Sequence, residues 1–217
     1  MKVAASSIAR ALLLGVALSQ APFAGASAQG TCPPGMPPGV FCGERNIAHA
    51  TAGAYVLDGD HSAVLARVSH IGYSYSVFRF DRVSGTLTWD PAVVSRSTLS
   101  VSVKIESITS NVKDFASKLA GDQFLNAPRF PEATFVSTAF RQTDATSGKV
   151  DGQLTLMGKA APATFDVTLV GAGKGFDGNP RVGVTARTWI KPQDFGMPAM
   201  FAEPIEIVVD AEFARNP

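Results

Sequence analysis

From Tyr55 to Phe213 the chain alternates apolar and polar residues with a period of two, interrupted at short intervals by glycine and proline. That period places successive side chains on opposite faces of an extended strand, so it commits most of the chain to half-buried β-structure. The stretch Tyr55–Trp89 sets the pattern: Val64, Ala66 and Val68 face one way, Ala63, Leu65 and Arg67 the other. Strands are predicted over 55–57, 62–69, 74–80 and 83–89, with Val83, Gly85, Leu87 and Trp89 on one face and Gly85 marking a bulge or bend. Further strands are predicted over 99–105 (Val101, Val103 and Ile105 inward), 133–141 (Phe135 and Phe140 on opposite faces), 149–157, 163–170, 181–190 and 204–213. One helix interrupts the series. Ser110 is placed to cap it, Asp114 sits in its first turn, Val112, Phe115 and Leu119 form its apolar stripe, and Gly121 ends it. Pro128 and Pro131 then keep the next loop extended. The fold class is all-β with one short helix, roughly eight to ten antiparallel strands closing as a barrel or a sandwich.

The 217 residues suit one such domain. Residues 1–28 read as a signal peptide: Lys2 and Arg10 precede a short apolar run from Ala11 to Leu18, and Ala26-Ser27-Ala28 offers a cleavage site. The run is far shorter than the ~20 residues of a spanning helix, and no later segment is long and apolar enough to span. Removing residues 1–28 takes the formal net charge from +1 to −1, without the clustered Lys and Arg that nucleic-acid binding requires. Export to the periplasm is expected. In that oxidising compartment Cys32 and Cys42 read as a local disulfide stapling a Pro/Gly-rich leader, residues 29–52. Their spacing is wider than Cys-x-x-Cys, and Gln29-Gly30-Thr31 lacks the small aliphatic approach of a lipid-modified cysteine. Residues 53–217 form the domain proper.

Catalytic constellations are thin. His49 lies in the leader with no ligand cluster around it. His61 and His70 stand nine apart, near Asp58 and Asp60, and nothing in the sequence brings them to a common point. Asp194-Phe195-Gly196 spells a kinase tripeptide without the rest of that signature, and Gly171-x-Gly173-x-Gly175 lacks the strand-to-helix context of a phosphate loop and reads as a flexible hairpin. No nucleophile elbow or zinc spacing occurs, so neither an enzyme nor a metal site is expected. Aromatic and methionine residues instead recur along the strands and loops, and eight strands enclose an interior that is either filled by side chains or holds one small ligand. Burying about twenty methylene equivalents at ~0.8 kcal/mol each gives roughly 16 kcal/mol gross, against an association cost of about 4–15 kcal/mol. A long hydrocarbon is therefore a feasible guest. The apolar loop Phe195–Phe201 either forms a mouth or lid, its methionines adapting to a flexible chain, or packs flat against the barrel end.

A set of ordered motifs adds to this reading. Tyr55-x-Leu57-Asp58, His61-Ser62, His70-x-Gly72, the Gly85 turn, Ile105-x-Ser107-Ile108-x-Ser110, Asp122-x-Phe124-Leu125, Phe130-Pro131-x-Ala133-x-Phe135, Gly152-x-Leu154-Thr155-x-x-Gly158 and Asp194-Phe195-Gly196 together resemble the YceI-like family from about Tyr55 to Phe213. The resemblance implies an extended, lipocalin-like antiparallel β-barrel of about eight strands. It also implies binding, carriage or storage of a polyisoprenoid, isoprenoid quinone or related lipid, held as ligand and not as cofactor. His70, Phe78, Phe80, Trp89, Phe124, Phe135, Phe165, Arg187, Trp189 and Phe195 are the candidate ligand-binding residues, with His70 or Arg187 at a polar mouth. Two departures stand out. The family usually has a glycine just before its Phe-containing strand, where Ser76-Val77-Phe78-Arg79-Phe80 is bulkier and narrows the pore, and Lys191-Pro192-Gln193 replaces its usual arginine. A homodimer is compatible with this reading. So is a side-chain-filled barrel whose leader docks a protein partner.

Overall fold

The computed structural model describes residues 32–37 and 40–215; the signal peptide expected over 1–28 lies outside them. The first strands are β1 (Gly53–His70), β2 (Ser74–Phe80), β3 (Val83–Trp89), β4 (Thr98–Lys104) and β5 (Ile108–Thr109). A helix, α1 (Phe115–Ala120), precedes β6 (Glu132–Gln142), β7 (Ser147–Leu156), β8 (Lys159–Lys174), β9 (Pro180–Ile190) and β10 (Ile205–Arg215). All pairings are antiparallel, and β10 returns to pair with β1, closing the sheet. The first half of β1 pairs with β3 and its second half with β2, so β2 and β3 form one stave broken at Asp81 and Arg82. With β5 as a short appendage on β2, the closed wall has eight staves. This is a barrel and not a sandwich, and closure removes the sheet edges that a sandwich would leave.

The alternation expected from sequence holds where register is regular. Val101 and Val103 face in against Gly85 and Val83, and the alternating Ser100 and Ser102 take the other face. Elsewhere the register slips. Asp58 pairs with Glu212 but Ala63 with Asp210, so β1 carries extra residues that switch its inward set from Leu57 to Val64, Ala66 and Val68. A second slip between Ser137 and Ala139 turns Phe140 to the same side as Phe135. The two rings therefore both face inward, and not to opposite faces as strict alternation required.

Other local expectations are corrected. Gly85 sits in an unbroken register and makes no bulge; a Cβ there would lie 2.7 Å from the Ser100 carbonyl oxygen, so glycine permits close strand approach. The helix begins only at Phe115: Asp114 precedes it with φ 60°, Ser110 Oγ accepts a bond from Val112 N–H in a separate turn, and Val112 is exposed. The chain from Gly121 to Phe130 folds back in successive turns instead of running extended, with Ala127 N–H bonded to Ala120 O and Phe130 N–H to Asn126 O. Gly171 and Gly173 belong to β8, not to a hairpin loop.

Those two glycines explain how the leader docks. β8 outruns β7, whose pairing stops at Ser147 and Thr168. The leader covers the overhang: Glu44 N–H donates to Ala172 O at 2.9 Å and Ala172 N–H to Glu44 O at 2.8 Å. Gly43 packs on Gly171 and Phe41 on Gly173. Cys32 and Cys42 form the expected disulfide, their Cα atoms 5.2 Å apart. Trp89 Nε1 donates to Ala50 O at 3.0 Å, and Tyr55 Oη to Thr51 O at 2.6 Å. No helix among the described residues is long and apolar enough to cross a membrane.

Candidate ligand-binding cavity

The inward faces of the eight staves enclose a cavity of about 300 Å³, at the lower end of the range for small-molecule sites. Its wall is aliphatic and aromatic throughout. Leu57 and Val64 come from β1, Leu99 and Val101 from β4, Val184 and Ala186 from β9, and Ile207 and Val209 from β10, with Phe135 and Phe165 meeting edge to face at a centroid distance of 4.9 Å. Gly152, inward on β7, leaves room for the Phe135 ring, which a Cβ would overlap.

The two ends differ in exposure. At one end Ile105, Ile108, Leu119, Phe124 and Leu125 line the cavity and are all buried, forming one cluster with Phe195. This is a floor, built by α1, the turns that follow it and the 3₁₀ turn Pro192–Phe195. The lining at the other end is polar and largely exposed: Arg141, Gln142, Asp144 and Thr146 of the β6–β7 hairpin, beside Ile47 of the leader and Val94 of the turn Val94–Arg96. This is the mouth.

Of the residues singled out in sequence, Phe78, Phe80, Trp89, Phe124, Phe135 and Phe165 line the cavity. Phe78 packs on Phe115 at 6.0 Å, so the bulky β2 pair forms wall near the floor. Phe195 is 2% exposed and lies behind the floor, not on the cavity surface. Met197 and Phe201 of the loop do line it, and Gln193 Nε2 ties that loop by donating to Phe201 O at 2.9 Å. The loop is thus part of the floor.

Three placements are corrected. Arg187 and Trp189 point outward, because Val182, Val184, Ala186 and Ile190 take the inward parity of β9; Trp189 is 56% exposed. Arg187 instead stands 3.7 Å from Glu206, a buried carboxylate on the outer wall that also pairs with Arg67. His70 ends β1 beyond the floor, exposed at the hairpin with β2, and is far from any polar mouth. The sequence-derived candidate list left out the aliphatic lining, although the inward parity of Val101, Val103 and Ile105 was readable, and overlooked the mouth hairpin.

His61 and Asp58 do meet, on the outer wall where β1 bulges. His61 Nδ1 lies 3.0 Å from Asp58 Oδ2, and the Arg181 guanidinium bridges Asp58, at 2.8 Å, and Glu212. The hydrogen bond with His61 holds the Asp58 carboxyl below its usual range, and Asp58 in turn raises His61. Asp58, His61 and Glu212 could together ligate a cation, but Arg181 already supplies the positive charge between the carboxylates. His49 pairs with Glu44 at 3.1 Å inside the leader.

Comparison with known proteins agrees with this architecture. A UPF0312 protein of Pseudomonas putida (strain W619) is 36% identical over 175 residues, covering 79% of this chain and 91% of that protein. A UPF0312 protein of Vibrio cholerae (serotype O1) is 33% identical over 155 residues, covering 70% and 82%. Among solved structures, Burkholderia cenocepacia BcnA superposes with a TM-score of 0.64 at 24% identity, over 72% of this chain and 98% of BcnA. The Campylobacter jejuni YCEI protein gives 0.62 at 25%, over 69% and 91%. A polyisoprenoid binding domain from Saccharophagus degradans shares the fold, with a TM-score of 0.54 at 13% identity, over 76% and 100%. The model of the YceI-like domain matches residues 55–213, the span of the eight-stave wall and its floor, and the chain belongs to the YceI-like family.

Proposed function

We propose that the protein binds, and carries or stores, one long apolar molecule in the bore of the barrel, an isoprenoid chain such as a polyprenyl lipid or quinone, after export to the periplasm. The observation that carries this reading is the cavity itself: apolar along its wall, closed by a buried floor and polar only at the mouth. A folded protein that keeps such a void forfeits the dispersion and transfer energy of filling it, and a hydrocarbon guest restores both. The fold shared with a polyisoprenoid binding domain supports the class of guest, and the Cys32–Cys42 disulfide supports an oxidising compartment. Carriage, not chemistry, suits a wall that is almost wholly apolar along its length.

The void argues against a side-chain-filled scaffold, and the leader's contacts with β8 use its backbone on its own barrel. The test is native mass spectrometry with organic extraction of protein purified from the periplasm. A co-purifying hydrocarbon-tailed species in one-to-one ratio is expected; repeated recovery of empty protein that also fails to take up an apolar fluorophore would overturn the reading.

A further inference from the structure

At the floor end the barrel turns apolar side chains outward as well as inward. β9, β10, β1, β2 and β5 are successive neighbours in the sheet. The connections that leave these strands at the floor end each carry a large exposed apolar residue: Met200 between β9 and β10, Ile71 and Tyr73 between β1 and β2, and Val112 between β5 and α1. Tyr73, Ile71 and Met200 are 89%, 81% and 70% exposed. Turn chemistry does not account for Ile71. Its backbone is left-handed, with φ 55°, a conformation that suits glycine or asparagine and strains a β-branched side chain, and at such exposure burial does not offset that strain. The hairpin tip is also prepared to leave water. Gly72 N–H donates to Ser69 Oγ at 3.3 Å and Tyr73 N–H to His70 O at 3.0 Å, and from Val68 to Phe78 the chain holds no Lys, Arg, Asp or Glu. Half-exposed Tyr75 and Val77 continue the apolar surface down the outer wall, with the Arg67 guanidinium stacked 4.8 Å from the Tyr75 ring.

Tips on separate connections make an array of points and not a groove, which suits a fluid surface better than a fixed one. Aliphatic tips backed by tyrosines match the edge of a bilayer, where a tyrosine ring sits against acyl chains and its hydroxyl among the head groups. We propose that the floor end docks on a lipid bilayer, with Ile71, Tyr73 and Met200 entering the acyl boundary and Val112 and Tyr75 at the level of the head groups. The connection that carries Met200 also holds Met197 and Phe201, which line the cavity, so docking brings a floor segment of the bore to the lipid surface. The docking surface itself lies outside the bore and does not depend on what the bore holds. Charges beside the tips are mixed, Lys113 next to Asp114 and Lys191 three residues from Asp194. Apolar burial and not surface charge therefore drives the contact, and salt does not weaken it.

Flotation of the full mature chain with phosphatidylcholine vesicles tests this. The protein should float with the vesicles equally at low and at high salt. Ile71→Asn, which relieves the left-handed turn and so keeps the fold, should weaken vesicle binding by roughly tenfold, and its combination with Met200→Ser should abolish it. Phe176→Ser changes a tip of similar exposure, 88%, on the β8–β9 hairpin at the mouth end and should leave binding unchanged. In Tyr73→Trp the added indole emission should shift to the blue with vesicles and be quenched by brominated acyl chains. Absence of flotation, binding that salt removes, or equal losses in Ile71→Asn and Phe176→Ser would each overturn the proposal. So would self-association in the absence of vesicles that Ile71→Asn abolishes, because the tips would then meet a second protein copy. Uptake of an apolar fluorophore from solution, measured alongside, reports on the bore alone. It should be the same in Ile71→Asn as in the native chain, and a parallel loss of uptake would overturn docking as the cause. Loss of flotation with uptake intact leaves the ligand site standing.

Discussion

The ring of Phe41 sits against Gly173, in the space that any side chain at that position would fill. A residue of the leader and a residue of β8 thus determine together whether the leader can lie on the barrel. Gly173→Ala should lift Phe41 and loosen the Glu44–Ala172 backbone pair. The expected result is faster amide exchange at Glu44 and Ala172, and faster reduction of the Cys32–Cys42 disulfide by dithiothreitol, with strand circular dichroism unchanged. Unaltered exchange at both amides would show that the leader is held by other contacts.

Inside the barrel Gly152 plays a comparable part for Phe135. A Cβ on Gly152 would overlap that ring and lie 2.5 Å from the Val136 carbonyl oxygen, which is backbone and cannot step aside. Gly152→Ala should destabilise the fold by about 1–3 kcal/mol, lowering the melting temperature by roughly 2–10 °C in a chain of this size. Thermal unfolding followed by calorimetry measures this, and a stabilised variant would contradict the packing described.

The two sides of β9 give a paired experiment on the bore. Ala186 faces in and is buried, whereas Trp189 faces out. Ala186→Phe should fill the cavity and weaken uptake of an apolar fluorophore by about tenfold or more, equivalent to about 1.4 kcal/mol. Trp189→Glu should leave uptake unchanged. Loss of uptake in the Trp189 variant alone would place the ligand on the outer wall.

On that wall, His61 should titrate above its ordinary value near 6.5 because Asp58 accepts its ring proton. The sign follows from linkage: a raised histidine adds stability that is complete below the unfolded-state value and fades as pH rises through the folded one. Asp58, whose pKa is lowered, adds stability that is present above its ordinary value near 3.8 and is lost as pH falls further. Nuclear magnetic resonance titration of His61 should show its midpoint moving down toward 6.5 in Asp58→Asn. A midpoint already at 6.5 in the native chain would dissolve the pair.

Much of the wall could be read from alternation alone, because a strand with one wet and one dry face records its orientation in every second residue. Val101 and Val103 are such a case. Phe140 was misread because one additional residue near Thr138 resets the parity, and an inserted residue leaves no trace in composition. Trp189 and Arg187 were a different error: the parity of Val182, Val184 and Ala186 already turned both outward, but their chemical identity drew them to the site. His70 lies in register with the inward set yet beyond the floor, where parity has no interior to face. Asp144 escaped notice because a hairpin turn has no period, and only the closure of the barrel shows that this turn overlooks the bore.

The overhang of β8 bears on where this protein begins as a folding unit. The matched YceI-like domain starts at Tyr55, yet the hydrogen-bonding groups of Ala172 are satisfied by Glu44, eleven residues earlier in the chain. A shortened chain starting at β1 would present Val170–Lys174 as a bare, glycine-softened ribbon with Val170 already exposed, open to recruitment by the same ribbon of another molecule. The leader therefore covers one rim of the barrel, and solubility, not ligand affinity, is the property its removal should damage first.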